Sequence, residues 1–151
     1  MKETLIIQSD MSNLPMVEER LFHFCRECNV GNYYSTVSFA AVQAVKNAIV
    51  HGNHEEADKK VSLEFGTCRG GLYVEVTDEG EGFDYARYGQ LPSDDEKCGE
   101  GIFVMKSLAD CMTFSDGGRQ VRLEFAVNGI DPADALERVS VLQAHFALVA
   151  A

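Results

Sequence analysis

Asp78-Glu79-Gly80-Glu81-Gly82-Phe83 is the stretch whose residue types most directly suggest chemistry. It follows an alternating apolar run, Leu72-Tyr73-Val74-Glu75-Val76-Thr77, which reads as a strand. An acid at a strand end offers a fixed hydrogen-bond acceptor. Two glycines spaced by one residue remove the side chains that would keep a ligand away from the backbone. A lone Asp-Gly turn is a common loop device. Here two further pieces join it: Asn47 on a predicted helix upstream, and the glycine pair Gly99 and Gly101 downstream. Cys25-Arg26-Glu27-Cys28 has metal-like spacing, but no second pair accompanies it and the segment reads as helix, so ordinary core or surface thiols are the competing reading. His51 and His54 invite a similar guess, with no acid or thiol placed beside them.

The elements that must position these residues can be read from periodicity and punctuation. Residues 4–8 read as a short strand. Asp10, Ser12 and Asn13 offer capping oxygens, and Leu14, Val17, Leu21, Phe24 and Cys28 then mark one apolar helical stripe closed by Gly31-Asn32. A second helix is expected from residue 35 or 36 to about residue 50, with a small-residue face of Ala40, Ala41, Ala44 and Ala48, stopped by Gly52-Asn53. Strands at 61–67 and 72–78, joined by Arg69-Gly70-Gly71, form a hairpin. Residues 80–101 are polar and glycine-bearing, and a loop of about twenty residues in a compact domain is usually functional or disordered. A helix at 102–109 and a second hairpin of strands 111–115 and 120–127 complete the pattern, and Asp131-Pro132 starts a last helix extending to about residue 150. The expected architecture is an α/β (α+β) two-layer sandwich, with a mostly antiparallel sheet covered by helices on one face.

The chain has 151 residues, of which 46% are hydrophobic and 25% charged, as expected of one soluble domain spanning 1–151 with the 131–150 helix as an addition. Its 13 basic and 24 acidic residues give a formal charge of −11, which disfavours nucleic acid and anionic membrane as partners and would welcome a basic protein. Five cysteines, no membrane-length apolar run and no secretory pattern after Met1 lead to the expectation of a cytoplasmic protein with reduced thiols.

Taken in order, helix with Asn47, strand with Asp78, glycine turn, long loop, glycine pair and helix, the chain resembles the GHKL ATPase superfamily over roughly residues 4–127. Within it the chain is similar to the small anti-sigma factor serine/threonine kinases of the RsbW and SpoIIAB type. Ala44-Val45-Lys46-Asn47-Ala48-Ile49-Val50-His51-Gly52 looks like the N box, Asp78 to Phe83 like the first glycine box, and Gly99-Glu100-Gly101-Ile102 like the second. The resemblance implies the histidine-kinase-like (Bergerat) ATPase fold and a site for ATP or ADP with Mg²⁺. Asn47 would ligate the Mg²⁺. Asp78 would accept from the adenine amine, with Gly80 and Gly82 close to the base. Gly99 and Gly101 would point N–H groups at the phosphates. Residues 85–98 would form a lid, with its phosphate contacts coming from backbone or Lys97. The implied partners are a sigma factor and an anti-sigma factor antagonist, and the implied assembly is a homodimer.

Two departures stand out. Relatives of this type carry a glutamate one turn before the magnesium asparagine, and here that place is Gln43, whose amide cannot take the proton of a substrate hydroxyl at neutral pH. Gly118-Arg119-Gln120 also stands where relatives often have Gly-Thr. Three readings result: a serine/threonine kinase in a partner switch, a nucleotide-binding switch that transfers no phosphate, and a detached histidine-kinase-type ATPase domain.

Overall fold

The computed structural model describes residues 1–85, 97–127 and 139–147, the side chains of 97–99 excepted. β1 (Lys2–Gln8) leads into a short turn, Met11–Asn13, capped by Asp10, whose carboxylate accepts from the Ser12 amide at 2.9 Å. α1 (Leu14–Glu27) places Pro15 in its first turn, where the missing N–H costs nothing. Asn13 does not cap it, and instead donates from Nδ2 to the Gln8 carbonyl. Val17, Leu21, Phe24 and Cys25 are the buried face of α1, while Cys28 is only partly buried. The helix is closed by Asn29 in the left-handed conformation (φ 59°) rather than by Gly31-Asn32, because a short polar side chain tolerates that geometry.

α2 (Tyr34–Asn47) is buried on most sides, and its alanines let α1, the sheet and the following helix approach closely. β2 (Lys60–Cys68) and β3 (Gly71–Thr77) form the expected hairpin. α3 spans Lys97–Leu108, five residues longer at its N-terminus than the pattern predicts. Gly99 and Gly101 therefore lie inside its first turns rather than in a loop before it. Glycine's poor helix propensity, a weak local bias, yields here to packing of α3 against α2. β4 (Cys111–Ser115) and β5 (Gln120–Ala126) form the second hairpin. The last described helix, α4, covers 139–147 and buries Val139 and Leu142. The predicted start at Asp131-Pro132 lies outside the described residues, as does most of the predicted lid.

The sheet order is β1-β2-β3-β5-β4, and every pairing is antiparallel. Val61, Leu63 and Phe65 of β2, Leu72, Val74 and Val76 of β3, and Val121, Leu123 and Phe125 of β5 make the buried face, as alternate residues of a strand must. The helices cover this face. The opposite face carries Glu64, Glu75 and Arg122, with Arg122 bound to Glu75 at 2.8 Å and stacked 4.0 Å from the Tyr73 ring centre. Among the described residues no helix is long and apolar enough to cross a membrane.

Candidate functional site

The site forms where three irregular segments meet at one end of the sheet. The first is the end of α2. Immediately after Asn47 the chain makes a single π-helical turn, Ala48–Gly52, closed by the Asn53 amide on the Ala48 carbonyl at 2.8 Å. Such turns insert one residue and re-aim the backbone beyond them, which is why they recur at functional sites. His54 and Glu55 then both take left-handed φ values of 53° and 59°.

The second segment is the turn after β3. Asp78 Oδ1 accepts from the Gly80 amide at 2.8 Å, and the Asp78 amide donates to the Arg119 carbonyl at 2.9 Å. Asp78 is half-buried, and burial pushes its carboxyl above the ordinary aspartate range, against the lowering pull of the Gly80 amide and Arg119. Gly52 lies against it so closely that a Cβ there would overlap the Asp78 carboxylate. A Cβ on Gly80 would in turn strike the Gly52 carbonyl. Gly80 is thus required by close backbone approach, whereas Gly52 makes room for the Asp78 side chain.

The third segment is the β4–β5 turn, where Asp116, Gly117 and Gly118 have φ of 51°, 65° and 96°. The Phe83 amide donates to the Gly117 carbonyl at 2.9 Å, and Gly82 (φ 81°) leaves no room for a side chain beside that carbonyl. Phe83, Tyr85 and Phe114 cluster at this edge, with Tyr85 stacked on Phe114 at 5.0 Å.

Between the three segments lies a cavity of about 160 Å³. Asn47, Asp78 and Gly82 line it beside the apolar walls Val76, Met105 and Phe114. Apolar walls with a few aimed polar groups are the usual make-up of a small-molecule site. The volume is below the roughly 300 Å³ and upward of sites that enclose a whole drug-sized ligand, so it encloses only part of such a ligand. Gly80 is buried beneath the turn. Gly101 meets Asn47 directly, since a Cβ there would come within 2.9 Å of the Asn47 amide nitrogen. Gly99 is the third residue of α3, within the first turn whose amides have no intrahelical partner, whereas Gly101 is the fifth. The Lys97 side chain lies outside the described residues.

The predicted residues do not all converge. Gln43, one turn before Asn47, lines a separate groove with Glu18, Tyr34, Lys46, Val139 and Gln143. Among the described residues no cluster of three or more His, Cys, Asp or Glu could hold a metal ion. Asn47 beside the cavity carries one side-chain oxygen, a donor type that hard cations accept. Cys25 is fully buried, and burial, with Cys28 adding to it, pushes its thiol up to about 12.

The chain matches the family described as the histidine kinase-like ATPase domain over residues 23–125, two thirds of its length and including Asn47, Asp78, Gly101 and Arg119. This chain belongs to that family. Membership of the histidine kinase-like ATPase domain family implies nucleotide binding, and α4 lies beyond the matched region. Two relatives are named anti-sigma F factor, from Clostridium botulinum strains Eklund 17B (Type B) and Alaska E43 (Type E3). Each is 30% identical over 103 residues, covering 62% of this chain and 71% of the relative.

Sequence pattern alone misses two residues important to this ATPase domain. Asn53 reads from the sequence only as part of a helix stop, yet it is completely buried. Its Oδ1 accepts from the Glu79 amide at 2.8 Å, and its Nδ2 donates to Ser9 Oγ at 2.9 Å and to the Lys60 carbonyl at 3.0 Å. One side chain therefore ties the ends of β1 and β2 to the Asp78 turn. Arg119 reads from the sequence only as part of a departure from Gly-Thr, yet it binds three carbonyls, those of Gly80, Glu81 and Asp116. The Arg-for-Thr departure is the one available clue to it.

Proposed function

We propose that this protein is a cytoplasmic ATP-binding anti-sigma regulator that acts as a serine/threonine kinase on an anti-sigma factor antagonist within a partner switch. The observation that carries the reading is the meeting of Asp78 and Asn47 in one glycine-walled cavity, in a chain 30% identical to anti-sigma F factors. In this reading Asp78 accepts from the adenine 6-amine, and Gly80 and Gly82 let the base lie against backbone. Asn47 offers Mg²⁺ its side-chain oxygen, and the first turn of α3, with Gly99 and Lys97, faces the phosphates. Bound Mg²⁺ would neutralise the charge that develops as phosphate is transferred. The protein works as a homodimer and exchanges a sigma factor for the antagonist.

A second reading is favoured by Gln43. An amide is no general base, and loss of the base typically costs about a hundred- to ten-thousand-fold in rate. The Gln43 side chain also belongs to a groove separate from the cavity. In this reading the protein is a switch in which nucleotide biases partner choice and no phosphate moves.

One experiment separates the two. Mg²⁺-ATP binding is measured beside transfer of labelled γ-phosphate to a candidate antagonist. Binding with transfer supports the kinase; binding without it, and transfer gained in Gln43→Glu, supports the switch. A folded wild type that binds no ATP removes both.

A further inference from the structure

Arg119 spans the two turns that frame the cavity. Nε donates to the Gly80 carbonyl at 2.8 Å, Nη2 to the Glu81 carbonyl at 3.3 Å, and Nη1 to the Asp116 carbonyl at 2.9 Å. Its own carbonyl accepts from the Asp78 amide at 2.9 Å. Both turns need such a restraint. The first contains two glycines, whose backbone loses the most freedom on being fixed, and the second holds Asp116, Gly117 and Gly118 at positive φ. The accompanying ion pair to Asp116, at 3.5 Å between partly exposed groups, contributes little by itself. The geometry matters more: a planar guanidinium presents several donors in a fixed fork, which neither lysine nor a small hydroxyl side chain can reproduce.

We propose that Arg119 is a positioning residue for base selectivity: by holding the Gly80 and Glu81 carbonyls, its guanidinium fixes the turn that aims Asp78 at a 6-amino purine. The proposal rests on the reading of the cavity as an adenine site. Truncating the side chain leaves the backbone bond between residues 78 and 119 in place, so the strand ladder survives while the turn loosens. A loosened turn aims the Asp78 acceptor less well, and the penalty falls on ligands that use it. A 6-oxo purine offers Asp78 no amine and has that contribution to lose in neither form of the protein.

The test is calorimetric titration of the full chain with ADP and with inosine diphosphate, which differ at the 6-position. Wild type is expected to prefer ADP. Arg119→Ala is expected to weaken ADP by about tenfold, the worth of one good hydrogen bond, with inosine diphosphate little changed, so that the preference collapses. Arg119→Lys, which keeps the charge without the fork, should fall between, and it carries the test if the alanine variant does not fold. A preference that survives in folded Arg119→Ala, or an equal loss for both ligands, overturns the role of Arg119 alone. A wild type that binds neither diphosphate, or both alike, overturns the adenine-site reading and this role with it.

Discussion

The Asn47 side chain occupies the space into which a side chain at residue 101 would project: a Cβ on Gly101 would lie 2.9 Å from its Nδ2 and 3.0 Å from its Oδ1. The obstacle is the end of a side chain, not backbone, so it can move. Gly101→Ala should therefore fold, and the gain of about 1 kcal/mol in helix propensity should hold its melting temperature level or raise it. The displaced Asn47 should weaken Mg²⁺-dependent ATP binding about tenfold or more. Titrations with Mg²⁺ and with chelator check this, and equal affinities for variant and wild type would remove Asn47 from the metal site.

Under the proposed function Asp78 would link ligand affinity to pH. Its folded-state carboxyl holds a proton more tightly than the unfolded chain does, chiefly through burial. Stability contributed by this group therefore rises as pH falls through the window between the raised value and the ordinary aspartate one. In the proposed reading the ionised carboxylate accepts from adenine, so ADP affinity should fall with acidification, beginning above the ordinary aspartate range. Asp78→Asn should remove the burial cost, leaving the melting temperature of the ligand-free protein equal or higher, while abolishing its increase on adding ADP. Thermal melts across pH, with and without ADP, read both effects. Among the charges facing Asp78, Arg119 and His54 pull its carboxyl down and Asp116 pushes it up.

Asn53→Ala removes three hydrogen bonds at a fully buried position. At about 1 kcal/mol each, the expected loss is about 3 kcal/mol in urea unfolding. ADP affinity should also fall, because the Glu79 amide beside Asp78 loses its acceptor. A loss below about 1 kcal/mol would show that water replaces the side chain.

Cysteine reactivity should follow burial. Cys111 is exposed, whereas the buried Cys25 has its thiol pushed up to about 12. Mass spectrometry after brief alkylation of the native protein at mildly alkaline pH should find Cys111 modified and Cys25 intact, with Cys25 reacting only once the chain is unfolded. Native labelling of Cys25 would mean that α1 opens readily.

What the sequence determined by itself was local. The three-and-four spacing of Val17, Leu21 and Phe24 defined the buried face of α1, and alternation in Leu72, Val74 and Val76 defined that of β3. Glycine turns placed both hairpins to within a residue or two, and the ordered motifs around Asn47 and Asp78 pointed to one cavity that the fold does assemble. These signals were legible because each reports the conformation of a few consecutive residues. Tertiary structure decided the rest. It placed β5 between β3 and β4, which brings Arg119 onto the Gly80 turn across 39 residues of chain. It started α3 at Lys97, turned Asn53 from a helix stop into a buried clasp, and set Gln43 in a groove apart from Asn47. Such outcomes depend on which distant segments pack together. That choice balances chain entropy against burial over the whole domain, and no local pattern of apolar spacing or turn residues encodes it.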